Sequence, residues 1–363
     1  METQYTRRLE RIEAVLETWL PQNPDSSWLE KIFTSHESSA SGGISGGVSA
    51  ELAAFLTRPG WDLMNRGGKR WRPLLMVLSA EVIAGESGLE AAIPLTPLVE
   101  FPHNASLIHD DIEDNSNERR GKPAIHLIYG NDTAINGGAF LYFLPLACIS
   151  AIANPEQAGR IWNAWASHMR ALHMGQAMDI AWHRDYHSLP ALDEYDLMCR
   201  LKTGCLARLA AVLGVYCTGE AFLAKQKSLA NVFGEAAERL GVGFQILDDV
   251  KNLDTGVPGK KRGDDIVEGK KSLPVLLYLH RYPEKRDFAA RCFAAARAAG
   301  TEAGEVEELI GALKRAGVLD EGREKGLKYI RESREVFTAH EAAGVPLNKE
   351  GRGLLEGLID MLG

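Results

Sequence analysis

Residues 103–114 read HNASLIHDDIED, an apolar run that ends in a cluster of carboxylates. The apolar residues recur at helical spacing, so Asp110 and Asp114 share one face of the predicted helix and Asp111 lies one step round. Like charges at this spacing repel one another, and oxygen-only ligands favour a hard cation such as Mg²⁺. A solvated acidic helix end would show the same pattern, so this cluster alone does not decide the chemistry.

Helical periodicity extends from this run in both directions. The first predicted helix ends near Pro21, and others cover about residues 26–33, 50–64, 73–84 and 90–114, with more from there to the end of the chain. Neither alternating strands nor strand–helix repeats are visible, so the sequence predicts an all-α fold. We expect a single domain over residues 1–363, with a flexible Ser- and Gly-rich loop at residues 35–49.

Composition excludes several classes of protein. The chain has 363 residues, a formal charge of −8 and 45% apolar residues, which argues against disorder and against a general nucleic-acid binder. Five cysteines without CxxC spacing predict buried free thiols, and the mixed-charge N-terminus has no signal-peptide pattern, so we expect a cytoplasmic protein. The uncharged segment 133–155 contains Pro145 and has an uninterrupted apolar core shorter than the ~20 residues of a membrane span. It predicts a fully buried central helix that does not span a membrane.

A second acidic cluster follows another apolar run at residues 241–252, GVGFQILDDVKN. Asp248 and Asp249 are followed by Asn252 one turn later, and Gln245 lies one turn before Asp248 on the same face. Two such clusters predict two walls of one cavity lined by metal ligands.

Basic residues alternate with these acidic clusters along the chain. RGGKRWRP at residues 66–73 precedes a predicted helix N-terminus, where free N–H groups and nearby cations favour an anion. RRGK follows the first acidic helix at residues 119–122, and PGKKRGDDIVEGKKSLP spans residues 258–274. Each could be a solvated surface. Together with the carboxylates they predict a site for more than one polyphosphate and bridging Mg²⁺.

At this point the sequence resembles a known family. GGKRWRP, HNASLIHDDIED, RRGKPAIH, LKTG, GFQILDDVKN and GKKRGDDIVEGKKSLP are similar, in the same order, to the hallmark segments of the trans-isoprenyl diphosphate synthases, also called polyprenyl synthetases. The resemblance implies a helical bundle of the isoprenoid synthase type with a central active-site cavity. It also implies a prenyltransferase that joins isopentenyl diphosphate head to tail to an allylic diphosphate, with three Mg²⁺ ions.

The resemblance assigns expected roles residue by residue. The positions that match the isopentenyl diphosphate site are Lys69, Arg72, His103 and Arg120. Those that match contacts to the allylic diphosphate are Arg119, Lys202, Gln245 and Lys260, with Thr203 beside the growing cation and Asp265 and Lys270 in a closing loop. The expected metal-binding set is Asp110, Asp111, Asp114, Asp248, Asp249 and Asn252, of which Asp110, Asp114 and Asp248 match the principal ligands.

Departures from the family pattern bear on activity and product length. Asn252 replaces the last Asp of the second motif, and Ala139 stands where many relatives have Asp. The expected chain-length wall consists of the small residues Ala105 and Ser106 together with Pro102, which predicts geranylgeranyl diphosphate or a longer product. A farnesyl diphosphate synthase, a terpene cyclase and a weakly active subunit of a heterodimer stay open as alternatives. Dimethylallyl, geranyl and farnesyl diphosphates are the expected primers, and a homodimer is expected, with 133–155 as its interface helix.

Overall fold

The computed structural model describes residues 2–33, 48–219, 222–256, 261–339 and 347–363. These residues form helices, apart from loops and one small antiparallel hairpin in which Glu118–Arg119 pairs with Lys122–Pro123. The predicted all-α fold is confirmed. Residues 35–47 of the predicted loop lie outside the described residues, as does Lys260.

The α-helices are numbered in chain order. The first nine are α1 Glu2–Trp19, α2 Ser26–Phe33, α3 Ala50–Asn65, α4 Trp71–Ala84, α5 Glu86–Ala92, α6 Pro97–Glu113, α7 Ile125–Tyr129, α8 Asn131–Phe143 and α9 Ala147–Ser150. The others are α10 Pro155–Arg184, α11 Leu192–Cys199, α12 Cys205–Tyr216, α13 Leu223–Asp254, α14 Asp264–Glu268, α15 Leu273–Arg281, α16 Arg286–Ala299, α17 Gly304–Arg315, α18 Val318–Ala339 and α19 Lys349–Leu362.

The main hydrophobic core surrounds α4, α6, α12 and α13. α4 is apolar on nearly every face and is buried from Trp71 to Ile83, because α12 covers one side and α19 another. α13 packs along α12 and α18. A second core, which includes Ile266, Phe293 and Leu309, joins α14, α16 and α17 to the end of α13 and thereby fixes the segment that carries Lys270.

Prolines divide the helical segment predicted at residues 90–114, whose sequence indicates that Pro94, Pro97 and Pro102 kink or segment the helix. Ile93–Leu95 is a 3-10 turn that contains Pro94, and Pro97 begins α6. Proline lacks an N–H and is tolerated in the first turn of a helix, which is why a new helix starts there. Pro102 lies within α6 without ending it. The acidic cluster 110–114 therefore ends a helix of its own.

The apolar segment 133–155 is neither continuous nor fully buried, which corrects the prediction. Leu144–Leu146 forms a 3-10 turn around Pro145, between α8 and α9. Ile135 is 50% exposed and Phe143 is 66% exposed, because only one side of α8 packs on α3 and α6. By length and composition Asn131–Ser150 is the one helical run of the described residues that could cross a membrane. All five cysteines are buried and form no disulfide, as predicted.

A short π-helix, Arg200–Gly204, joins α11 to α12 and lies between α10 and α13. Glycine permits both close approaches. A Cβ at Gly175 of α10 would lie 2.4 Å from the Lys202 backbone nitrogen, and one at Gly241 of α13 would lie 2.9 Å from the Gly204 Cα. The π-helix therefore presents Lys202 and Thr203 between two long helices, and such local distortions are frequent at functional sites.

Candidate active site

Asp110 lies at the centre of the first acidic cluster, near the end of α6. Its Oδ1 accepts hydrogen bonds from Gln176 Nε2 at 2.8 Å and from Lys202 Nζ at 3.1 Å. Burial alone would raise the pKa of Asp110, but the cations of Lys202, Lys270 and Arg119 hold it well below its usual range. The carboxylate is therefore ionised at neutral pH.

Asp111 is fully buried and pairs with Arg119, whose Nε donates to Asp111 Oδ1 at 2.8 Å. The same guanidinium lies 3.8 Å from Asp110 Oδ2. Burial opposes the charge of Arg119, but Asp111 and Asp110 raise its pKa above the ordinary value. Asp111 thus holds Arg119 beside Asp110.

Asp114 forms the C-cap of α6 and is 2% exposed. Lys270 Nζ lies 3.2 Å from Oδ2, and His183 Nδ1 lies 3.6 Å from Oδ1. Within the described part of the chain neither Asp114 carboxylate oxygen accepts a hydrogen bond. Burial raises the pKa of Asp114 to about 7 against the opposing charge of Lys270. A divalent cation would offset the cost of burying this carboxylate and would bind its oxygens, which accept no hydrogen bond from the described residues.

α10 supplies polar residues that sequence reasoning missed. Gln176 also donates to Glu113 Oε2 at 2.6 Å, and Asp179 Oδ2 accepts from Lys202 Nζ at 2.6 Å. Despite burial, Asp110 and Asp179 raise the pKa of Lys202 above its ordinary value. The sequence feature that could have indicated these residues is their helical spacing, which places Gln176, Asp179 and His183 on one face of α10.

The second acidic cluster lies on α13 and is held by hydrogen bonds. Asp249 accepts from Tyr195 Oη at 2.8 Å and from Gln245 Nε2 at 2.7 Å, whereas Asp248 is partly exposed. Burial and the nearby Asp265 raise the pKa of Asp249 to about 7, opposed by the two hydrogen bonds. Asn252 Oδ1 accepts from the Asp265 backbone N–H at 3.2 Å, so this side chain contacts the segment that follows α13.

The π-helix connects the two acidic clusters. Lys202 contacts Asp110 on α6, while the adjacent Thr203 donates its hydroxyl to Gln245 Oε1 on α13 at 2.8 Å. The two acidic helices, α6 and α13, are therefore connected through the consecutive residues Lys202 and Thr203.

A second group of cations, without carboxylate partners among the described residues, lies near His103 of α6. Arg72 Nη1 is 3.3 Å from His103 Nε2, and its guanidinium lies 4.3 Å from the centre of the Trp71 ring. Burial lowers the pKa of Arg72 and of Arg120 to about 10 each. Burial and these two cations also hold the pKa of His103 well below its usual range. Within the described ranges neither Arg72 nor Arg120 forms an ion pair with a carboxylate, so the group fits an anion.

Two further predicted lysines, Lys69 and Lys270, have different surroundings. Lys69 Nζ lies 5.4 Å from the Phe244 ring centre, beside the Arg72 group. Lys270 Nζ contacts Glu268 Oε2 at 2.6 Å as well as Asp114. Burial disfavours its charge, yet Asp114 and Glu268 raise its pKa well above the ordinary value.

The expected chain-length residues lie one to two turns before Asp110 on α6. Ala105 is fully buried in the main core, and Pro102 is also buried. Ser106 is partly buried, and its hydroxyl donates to the His103 carbonyl oxygen at 2.8 Å. Of these residues, Ser106 shares the face of Asp110, four residues later.

The residues fit Mg²⁺, although no ready-made cluster is present. Among the described residues, no three His, Cys, Asp or Glu side chains converge as a metal site. Mg²⁺ commonly takes one or two carboxylates and completes its shell with substrate phosphates. The ionised Asp110, the buried Asp114 and the partly exposed Asp248 match that chemistry.

Comparisons with known proteins agree with this geometry. The sequence profile of the family described as polyprenyl synthetase matches residues 53–313. The chain is 31% identical to the geranylfarnesyl diphosphate synthase of Aeropyrum pernix over 83% of its length and 91% of that protein. It is 37% identical to the short chain isoprenyl diphosphate synthase of Methanocaldococcus jannaschii, over 62% of this chain and 66% of that protein. The crystal structure of geranylgeranyl pyrophosphate synthetase from Pyrococcus horikoshii superposes with a TM-score of 0.77 at 26% identity, covering 99% of this chain and 98% of that one.

Proposed function

Because the chain belongs to the polyprenyl synthetase family, we propose that it is a prenyltransferase that condenses isopentenyl diphosphate head to tail with an allylic diphosphate. The products are pyrophosphate and an all-trans prenyl diphosphate of twenty carbons or more. One observation carries the proposal. Carboxylates on α6 and α13, connected through Lys202 and Thr203, lie beside the separate group of cations around Arg72.

The cation group is the proposed site for the diphosphate of isopentenyl diphosphate. In the described ranges Arg72 and Arg120 form no ion pair with a carboxylate, and Lys69 lies over the Phe244 ring. Burial is the main cause that lowers the pKa values of Arg72, Arg120 and His103, and repulsion between the cations adds to it. A diphosphate there would offset the cost of holding these positive charges in a buried site. Arg72 offers the forked donors that suit phosphate oxygens.

The allylic diphosphate is proposed to lie between the two acidic clusters. Asp110, Asp114 and Asp248 would hold Mg²⁺, with three ions as the proposed number, and Arg119, Lys202 and Lys270 would bind phosphate oxygens directly. When bound, Mg²⁺ supplies Lewis-acid stabilisation of the charge that develops on the leaving pyrophosphate. Lys202 and Arg119 add fixed positive charge at the same place.

The reaction breaks the allylic carbon–oxygen bond and joins the allylic carbon to the terminal double bond of isopentenyl diphosphate. One proton is then lost, and pyrophosphate oxygen is its proposed acceptor. The Thr203 hydroxyl and the Gln245 amide form a polar pair that also contacts Asp249, and we propose that this pair orients the reacting carbon. Phe244, next to Gln245 on α13, and Trp71, whose ring centres are 5.4 Å apart, are the proposed apolar wall. Such a wall protects a reactive cation from water.

Product length, assembly and location belong to the same proposal. The side chains at positions 105 and 106, one turn before Asp110, are small, which supports geranylgeranyl diphosphate or a longer product. Ile135 and Phe143 are exposed on α8, and Leu127 of the neighbouring α7 is 54% exposed. We expect this face to pair with a second copy of the chain, because exposed apolar patches mark interaction sites. The proposed enzyme is a single-domain cytoplasmic homodimer.

Pyrophosphate release tests the proposal and separates it from a terpene cyclase. The purified protein is incubated with Mg²⁺ and farnesyl diphosphate, with or without isopentenyl diphosphate. We expect release only when both substrates are present, and none after chelation of the metal. Release from farnesyl diphosphate alone would indicate a cyclase.

A further inference from the structure

His183, near the end of α10, lies beside Asp114. Its Nδ1 is 3.6 Å from Asp114 Oδ1, and the two residues are 7% and 2% exposed. Over the described ranges, neither His183 Nδ1 nor either Asp114 oxygen has a hydrogen-bond partner. Buried polar atoms without partners are rare and costly, so two that face each other suggest an interaction completed in another state of the site.

Charged side chains surround His183. Lys270 Nζ approaches the other Asp114 oxygen at 3.2 Å, and Asp179, one turn earlier on α10, holds Lys202. An imidazole carries at least one N–H in either protonation state, and the nitrogen that faces the Asp114 carboxylate is the one placed to donate.

The segment after α14 restricts the movement of this histidine. A Cβ at Gly269 would lie 3.0 Å from the His183 carbonyl oxygen, so the turn that carries Lys270 packs directly on the end of α10. Asp114 is also held from the backbone side, where Arg297 Nη1 donates to its carbonyl oxygen at 2.7 Å. Little movement is needed to bring His183 Nδ1 within hydrogen-bond distance of Asp114.

We propose that His183 is a positioning residue that donates a hydrogen bond from Nδ1 to Asp114 Oδ1 and so directs Oδ2 towards Mg²⁺. This inference rests on the proposed function. Direct ligation by the imidazole is disfavoured, because Mg²⁺ prefers oxygen ligands. Hydrogen-bond partners of metal-binding side chains are typically worth about 10- to 100-fold in metal affinity or activity.

Calorimetric titration of inorganic pyrophosphate at several Mg²⁺ concentrations tests the inference. Wild type is compared with His183→Leu, which removes the donor, and with His183→Asn, whose amide can donate from a similar position. His187→Leu is the matched control, because His187 Nδ1 lies at the same 3.6 Å from Asp287 Oδ1 in an exposed pair. We expect His183→Leu to weaken Mg²⁺-dependent binding about 10- to 100-fold, whereas His183→Asn and the control stay within threefold of wild type.

The other outcomes are equally decisive. Binding by His183→Leu within threefold of wild type, or an equal loss in His183→Asn, would overturn the hydrogen-bonding role. Circular dichroism checks that each variant is folded. If His183→Leu does not fold, pulsed electron paramagnetic resonance of wild type with Mn²⁺ and pyrophosphate decides, together with the His183→Asn titration. A His183 nitrogen bonded directly to Mn²⁺ would contradict the inference. The inference is supported if no nitrogen is bonded to Mn²⁺ and His183→Asn still binds pyrophosphate. Wild type that binds no pyrophosphate with Mg²⁺ would contradict the proposed function itself.

Discussion

Lys202 connects carboxylates from two helices of the site. It joins Asp110 of α6 to Asp179 of α10, and all three side chains are largely buried. Replacing it with Met leaves two buried carboxylates without their cation, which costs about 3–5 kcal/mol of stability in comparable pairs. We also expect kcat/KM to fall by about 100-fold or more, the usual loss for a group that stabilises developing negative charge.

Steady-state kinetics and urea denaturation measure both effects of Lys202→Met. Arg200→Met is the control, because Arg200 belongs to the same π-helix but is largely exposed and pairs with Asp196. The control should keep its activity and most of its stability. Activity of Lys202→Met within threefold of wild type would remove Lys202 from the mechanism.

Asp114 and Asp249 make the stability of the metal-free protein depend on pH. Burial raises the pKa of each to about 7, well above the unfolded value, so each carries a proton in the folded state at mildly acidic pH. The stabilisation is full below pH ~4 and is lost as the pH rises through about 7. Between pH 6.5 and 8 the two groups together predict a loss of about 1.5 kcal/mol in the free energy of unfolding.

Urea denaturation in the presence of a chelator measures this loss. His103, His168 and His183 have lowered pKa values and add stability as the pH rises from 6.5, so the effect of the two carboxylates is measured as the difference between wild type and the double variant Asp114→Asn, Asp249→Asn. The free energy of unfolding of wild type should fall by about 1.5 kcal/mol relative to that of the double variant between pH 6.5 and 8. A difference that stays constant over this window would contradict the prediction.

At the scale of elements, the close packing of α10 on the π-helix positions both acidic clusters. A methyl group at Gly175 would lie 2.4 Å from the Lys202 backbone nitrogen, whereas one at Gly159 on the same helix would have nothing within 4 Å. Gly175→Ala should therefore lower the free energy of unfolding by about 1–3 kcal/mol and reduce kcat, because the π-helix must shift. Gly159→Ala, which only improves helix propensity, should stabilise the protein by up to about 1 kcal/mol. Equal effects of the two substitutions would show that this packing does not matter.

The face of α6 below Asp110 is expected to set product length. Ser106 is partly buried on that face, so Ser106→Phe should block the growing chain and shorten the product, and Ser106→Ala should leave it unchanged. Ala105→Phe should also shorten the product, but Ala105 is fully buried, and overpacking there costs about 1–3 kcal/mol. Mass spectrometry of the products measures both, and an unchanged product from Ser106→Phe would exclude this wall.

At the scale of the whole molecule, the exposed face of α8 predicts the oligomeric state. Phe143 is 66% exposed, and burying it in a dimer would remove a large apolar side chain from water. Sedimentation velocity should show a dimer for wild type and a monomer for Phe143→Asp. Met361→Asp, at a 57% exposed position of α19, is the control and should stay dimeric. A monomeric wild type would exclude the proposed interface.

The helical fold and the two acidic clusters could be predicted because each depends on local patterns, namely helical periodicity and paired carboxylates after apolar runs. The contribution of α10 could not, because Gln176, Asp179 and His183 are single polar residues on a long helix and only tertiary packing shows what they contact. The π-helix has no local signature either. The prediction that the apolar segment containing α8 is fully buried was wrong, because an apolar composition does not reveal which neighbours pack against a helix.

Product analysis determines whether the protein elongates allylic diphosphates. Pure protein is incubated with Mg²⁺, isopentenyl diphosphate and, in separate reactions, dimethylallyl, geranyl or farnesyl diphosphate, and product length is determined by mass spectrometry. We predict that at least one primer is elongated in steps of one isoprene unit to twenty carbons or more. No elongation of any primer by a well-folded sample would contradict the account.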